Sequence, residues 1–237
     1  MDLLLLGVSH HSAPVDLRER VDFCKRGVVE ALQELATSAA PTEAVILTTC
    51  NRAEIYVVCE NPETSRADLA RFMSQFHGVP EKELHPHLYS RSGSEVARHL
   101  FRVAAGLDSL VVGEPQIFGQ VKEAYAVASE KQHTGALLNK LFTWSFAAGK
   151  RVRADTGLGE GAVSVAYAAV SLARKIFGRL KERTVLVVGA GEMAELTATH
   201  LQAQHVRRIA VTSRTLTRAN ALARKVGGTA VAWSAVD

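Results

Sequence analysis

A glycine pattern set directly behind a short apolar run limits the possible fold of this chain more than any other feature. Residues 185–188 read Val-Leu-Val-Val, and Gly189-Ala190-Gly191-Glu192-Met193-Ala194 follows at once. Four apolar residues suffice for a buried strand, and a G-x-G-x-x-A behind it marks the passage from strand to helix in a dinucleotide-binding unit. The first glycine permits a tight turn. The second lets the backbone approach a pyrophosphate, and the small last residue lets helix pack on strand. The helix start then offers unpaired N–H groups and a positive dipole end to the phosphates. A second apolar run at 209–212 completes a right-handed βαβ unit. An NAD site carries Asp or Glu about 20 residues beyond the glycines. Here the second run leads instead into Ser213-Arg214-Thr215. A guanidinium between hydroxyls suits a 2′-phosphate, because Arg binds phosphate bidentately. The cofactor read from these residues is NADP, held by Gly189, Ala190, Gly191, Glu192, Met193, Ala194, Ser213 and Arg214. The plainer alternative is a structural turn with a solvated arginine.

The residues before this unit have a different texture. Residues 3–9 form an apolar run suited to a buried strand, and 17–37 carry helical spacing. Two β-rich runs at 44–48 and 55–59, joined by the polar segment 49–54, predict a hairpin. A helix is expected at 66–77, ended by Gly78 and Pro80. From residue 93 the pattern turns helical, with Val96, Leu100, Val103 and Leu107 on one face. Gly157, Gly159 and Gly161 then mark a hinge or boundary. At 237 residues, 47% hydrophobic and 22% charged, the chain has apolar material for one large or two medium domains and is far from disordered composition. No apolar run approaches the roughly 18 residues of a membrane span, and the opening lacks the basic region of a secretory signal. The net charge of +4 permits a nucleic-acid partner without requiring one. Asp237 falls one or two elements into the second domain, so the sequence reads as the front part of a longer protein.

Three cysteines, an odd number with no Cys-x-x-Cys spacing, argue against a disulfide framework and for a reducing, cytoplasmic setting. Cys24 and Cys59 fall in helical and strand patterns, ordinary buried places. Cys50 stands in the polar link of the hairpin, where a substrate can reach a thiol and Arg52 two residues on can stabilise a thiolate, with an ordinary structural cysteine as the plainer alternative. His99 lies at the edge of the apolar stripe of its helix, a border residue or a catalyst. Glu114, Gln116 and Gln120 crowd around Gly113 and Pro115, a polar cluster or a solvated turn. His85 and His87 lack the companions of a metal site, and no metal is expected.

Several of these segments together resemble the glutamyl-tRNA reductase family. They are Gly7-Val8-Ser9-His10-His11-Ser12-Ala13-Pro14, Leu47-Thr48-Thr49-Cys50-Asn51-Arg52-Ala53-Glu54, residues 104–120 (AAGLDSLVVGEPQIFGQ), Val163-Ser164-Val165-Ala166-Tyr167 and the glycine turn. The resemblance implies an α/β protein: an N-terminal α+β catalytic domain at 1–158, a long linking helix at 159–180, and a truncated Rossmann-type NADPH domain at 181–237. A C-terminal dimerisation domain would be absent. It implies that Cys50 attacks the ester joining glutamate to its tRNA, and that NADPH reduces the resulting thioester to glutamate-1-semialdehyde. This is the first step of the C5 route to 5-aminolevulinate and tetrapyrroles. Thr49, Cys50, Asn51, Arg52, Ser109, Glu114, Pro115, Gln116 and Gln120 are the implied substrate residues. Arg52, the one full positive charge in the matched set, is paired with the γ-carboxylate, and Glu114 with the α-ammonium. His99 is implied in activity, assisting the thiol or stabilising the intermediate. Implied partners are glutamyl-tRNA, an aminotransferase that takes over the aldehyde, and a second copy of the full-length protein, with no membrane. The alternatives are a shikimate-type NADP dehydrogenase and a non-catalytic tRNA-binding fragment.

Overall fold

The opening leucines form β1 (Asp2–Ser9), buried from Leu4 onward, and a strand so apolar needs cover on both faces. The structure, a computed structural model, describes residues 1–156, 158 and 165–236. It divides the chain into two units, Met1–Ala162 and Val163–Asp237. The glycine segment expected to act as a hinge and the first residues of the expected linking helix (159–164) lie outside the described residues.

In the first unit β1 is followed by α1 (Val15–Arg20), α2 (Val28–Ser38), β2 (Glu43–Thr49), β3 (Arg52–Cys59), α3 (Pro62–His77), α4 (Glu81–Leu84) and β4 (Tyr89–Ser92). Three longer helices then complete it, α5 (Ser94–Ala105), α6 (Gln116–Glu130) and α7 (Ala136–Asp155). The four strands make one antiparallel sheet of order β2-β3-β1-β4. Every residue of β3 is buried, with α3 and α7 both packed against it. Helices α2 and α6 meet β2, and α5 meets β1. Gly149 lets α7 lie close along α5 and α6, since a Cβ there would stand 2.9 Å from the Ala104 carbonyl oxygen and 3.0 Å from the Phe118 ring. Glu43, at the start of β2, accepts the Leu137 and Leu138 N–H groups at 3.1 and 2.7 Å, capping the otherwise uncapped start of α7.

The expected helix at 17–37 is three pieces. Gly27 takes φ 109°, which no helix continues through, so α1 and the 3-10 turn Phe23–Lys25 precede α2. Cys24 on that turn is exposed, not buried as its pattern suggested. Leu107 falls beyond α5, which stops at the left-handed Gly106, and is exposed. Strand β4 was not expected, because four polar-rich residues show no readable alternation.

The second unit holds α8 (Val165–Phe177), β5 (Thr184–Val188), α9 (Glu192–Ala203), β6 (Arg208–Thr212), α10 (Leu216–Lys225) and β7 (Thr229–Val231). Its three strands are parallel, in the order β5-β6-β7, which is the 3-2-1 half of a dinucleotide-binding sheet. Val187, Ala198, Leu201, Ile209, Val211 and Leu222 form its separate core, and α8 packs on α9.

Candidate active site

The hairpin that carries Cys50 is tighter than its sequence suggests. Thr49 pairs with Arg52, leaving only Cys50 and Asn51 in the turn. Thr49 Oγ1 accepts the N–H groups of Asn51 and Arg52 at 3.1 and 3.2 Å, which holds the turn from inside. Two neighbouring elements hold it from outside. The His10 N–H donates to the Asn51 carbonyl at 2.9 Å. Arg18 on α1 donates from Nη1 to the Cys50 carbonyl at 2.5 Å and to Asn51 Oδ1 at 3.0 Å.

Cys50, Thr49 and Gln120 line a cavity of about 280 Å³ together with Asp22, Cys24 and Glu123. Burial pushes the Cys50 thiol above its ordinary value, and the nearby Glu114 carboxylate adds to the rise. The cation that counters them is Arg18, not Arg52, which corrects the role read for Arg52 from sequence. The resting group is therefore a thiol awaiting a reason to ionise.

Arg52 is not a free cation. Its side chain is 1% exposed, donating from Nη1 to Glu54 Oε1 at 2.6 Å and from Nη2 to the Asp108 carbonyl at 2.5 Å, with Asp108 Oδ2 at 3.1 Å. Because strand side chains repeat every second residue, Arg52, Glu54 and Tyr56 share one face of β3. Glu54, wholly buried, also accepts from Tyr56 OH at 2.5 Å, from Tyr89 OH and from His99 Nε2 at 2.8 Å. Arg52 and these donors hold its carboxyl far below the ordinary range against the opposing effect of burial, so it is a carboxylate. Facing an acceptor, His99 Nε2 carries the proton. His99 thus lies on the Glu54 cluster, 11% exposed with its ring tilted against that of Tyr89, and is not among the residues lining the Cys50 cavity.

The loop between α5 and α6 brings the remaining candidates. Ser109 is buried and its Oγ has no partner among the described residues. Glu114 is buried too, and its carbonyl accepts from Arg153 Nη2 at 2.8 Å. Pro115 is the exposed residue before α6, and Gln116 is its first residue. Gly106 and Gly113, both left-handed, close this loop through a Gly113 N–H to Gly106 carbonyl bond of 2.9 Å. Sequence reasoning missed His10, Arg18, Glu54 and Asp108. The cue in sequence was Arg52 and Glu54 two apart in an apolar strand, a spacing at which buried charges must find partners.

In the second unit Gly189 has φ 114°, and its N–H donates to the Thr212 carbonyl at 2.8 Å, so Ser213 and Arg214 begin directly beside the turn. A Cβ on Gly191 would meet nothing within 4 Å, leaving the room a pyrophosphate needs. One on Gly189 would come 3.9 Å from the Cβ of Ala194, which packs on the core. The residue before α9 is Gly191, which brings no capping side chain to the helix end at which phosphates bind. These residues fit a dinucleotide. Among the described residues no group of three or more His, Cys, Asp and Glu could hold a metal, and no helix is long and apolar enough to cross a membrane.

Residues 6–156 match the family described as glutamyl-tRNAGlu reductase, N-terminal domain, and residues 171–237 the one described as shikimate / quinate 5-dehydrogenase. The glutamyl-tRNA reductase of Syntrophotalea carbinolica is 48% identical over 234 residues, covering 99% of this chain and 53% of that protein. That of Pseudomonas putida is 49% identical over 231 residues, 98% of this chain and 54% of that protein. Among solved structures, glutamyl-tRNA reductase from Methanopyrus kandleri superposes with a TM-score of 0.63 at 38% identity, covering 99% of this chain and 55% of that one. The chain thus spans about half the length of the relatives it matches. With its Cys50 hairpin, its glycine turn and this similarity along nearly its whole length, the chain belongs to the glutamyl-tRNA reductase family.

Proposed function

We propose that this chain forms a Cys50 thioester from glutamyl-tRNA and holds the NADPH that reduces it, the NADPH-dependent glutamyl-tRNA reductase reaction that opens tetrapyrrole synthesis in the cytoplasm. What carries this assignment is Cys50, held at a two-residue turn and lining a cavity with Thr49 and Gln120. The Cys50 sulfur attacks the aminoacyl ester carbon, the C–O bond to the tRNA breaks, and the 3′-oxygen leaves with the thiol proton. Thr49 and Asn51 keep the turn in place for attack. The unpartnered Ser109 hydroxyl, Gln116 and Gln120 line the substrate's path, with Pro115 setting the start of α6. Glu114 receives the α-ammonium, an opposite charge that also relieves its pressure on the thiol. Arg52 receives the γ-carboxylate on its Asp108 side while Glu54 stays paired behind it. His99 acts through Glu54, keeping the carboxylate oriented on Arg52. Gly189–Ala194, with Ser213 and Arg214 for the 2′-phosphate, would hold NADPH, which would supply the hydride that turns the thioester into glutamate-1-semialdehyde and frees the Cys50 thiolate. For a full-length chain of this family a homodimer is expected, with an aminotransferase as the aldehyde's recipient.

The test is single-turnover acylation with labelled glutamyl-tRNA and no NADPH. Hydroxylamine-sensitive label on the wild-type chain, lost in Cys50→Ser, is the expected result. A folded wild-type chain that stays unlabelled beside intact charged tRNA, or a Cys50→Ser chain that labels equally, refutes the nucleophile.

A further inference from the structure

His10 has no part in the chemistry above, yet the structure places it against the reacting hairpin. Its backbone N–H is bonded to the Asn51 carbonyl at 2.9 Å, one residue from Cys50. Its ring lies on that of His11, centroids 3.9 Å apart. His11 Nε2 in turn stands 4.0 Å from Asp108 Oδ1, the carboxylate that occupies the Nη2 side of Arg52. Four charged or titratable groups act on the His10 imidazole: His11, Arg52, Arg18 and Asp108. Burial and the cationic neighbours hold it below its ordinary value, so near neutral pH it is uncharged, with one N–H and one lone pair.

Nδ1 of His10 is buried and has no hydrogen-bond partner among the described residues. A buried polar nitrogen left so is destabilising until a partner satisfies it. The charges that act on this ring are two guanidiniums and one carboxylate, and that carboxylate is the more exposed of the two paired with Arg52, 17% against 0% for Glu54. The surroundings therefore suit an incoming anion that supplies Nδ1 with an acceptor and takes over the place Asp108 holds.

We propose that His10 is a specificity residue of this site: its Nδ1–H, beside the Arg52 guanidinium, receives the side-chain carboxylate of the glutamyl group in place of Asp108. This rests on the proposed function for its substrate, but the anion-accepting geometry is independent of it. A glutaminyl group presents an uncharged amide there: it carries no charge to pair with Arg52, and its NH₂ is a donor where a carboxylate offers a second acceptor oxygen.

Two variants separate the ring nitrogens, because the Asn amide reaches the position of Nδ1 and the Gln amide that of Nε2. The first measurement is the ratio of Cys50 acylation rates from glutamyl-tRNA and from glutaminyl-tRNA. The second is the ratio of Cys50 alkylation rates by iodoacetate and iodoacetamide, read on the Cys50 peptide by mass spectrometry. His10→Gln is expected to lower both ratios about tenfold, a loss of about 1.4 kcal/mol in discrimination. His10→Asn is expected to stay within about threefold of wild type. Wild-type ratios in both variants, or equal loss in both, overturn the assignment of Nδ1. Should the wild-type chain fail to acylate while the alkylation ratio still falls in His10→Gln alone, the anion site stands and the substrate reading falls.

Discussion

Replacing Glu54 by Gln keeps the shape of the side chain and removes only its charge, which makes it the sharpest probe of the buried cluster. Breaking a buried ion pair by removing one partner costs about 3–5 kcal/mol, since the other charge is left uncompensated. Arg52 retains Asp108 at 3.1 Å, so the lower end, about 3 kcal/mol near neutral pH, is the expected loss. Its pH dependence carries a second signature. The folded-state carboxyl of Glu54 lies below its unfolded value of 4.5, so its contribution to stability is complete above that pH and is lost as pH falls. Below about pH 4.5 the unfolded wild-type chain takes up a proton the folded one does not, and the gap between wild type and Glu54→Gln narrows by about 1.4 kcal/mol per pH unit. The assay is urea unfolding followed by tryptophan fluorescence in a Trp233→Phe background. Trp144 on α7 is then the sole tryptophan, of two in the sequence, and reports on the first unit. A gap below about 1 kcal/mol at neutral pH, or one that widens toward acid, would refute the claim that Glu54 is a buried carboxylate held by Arg52.

Three further outcomes follow from the same geometry. The rate of Cys50 alkylation by iodoacetamide should still be climbing above about pH 9, with its midpoint moved up in Arg18→Gln and down in Glu114→Gln; identical profiles in all three chains would remove both groups from the thiol's surroundings. Gly149→Ala sets helix propensity, which favours Ala by about 1 kcal/mol, against a Cβ 2.9 Å from a backbone oxygen. Backbone cannot give way cheaply, so a lower urea midpoint is expected, and a higher one would mean α5 and α7 have slack between them. Glu43→Ala should cost about 1 kcal/mol in the same unfolding assay by uncapping α7, and protection of the Leu137 and Leu138 amides from hydrogen exchange should fall with it.

Local rules made the second unit legible. The glycine turn, the apolar runs beside it and the hydroxyl-flanked Arg214 depend on backbone conformation and neighbours a few residues away, and φ 114° at Gly189 is what a G-x-G-x-x-A turn requires. Cys50 was legible for a related reason, since a thiol in a two-residue turn cannot be hidden by its own hairpin. Charge partnership was not. Arg52 read as the free cation of the site, but the sequence separation of 56 residues to Asp108 carries no periodic signal, and neither do the 45 residues between Glu54 and His99. Those pairings arise because a charge buried in a strand must be compensated by whatever the fold brings beside it. Arg18, 32 residues before Cys50, takes the place at the thiol that sequence proximity had suggested for Arg52. The glycine turn and the place of Cys50 in a hairpin link were thus determined by the sequence alone, whereas the two-residue length of that link and the break at Gly27 were not. Only tertiary packing decided which charges face the sulfur and which are consumed by one another, because electrostatic compensation acts through space and ignores position along the chain.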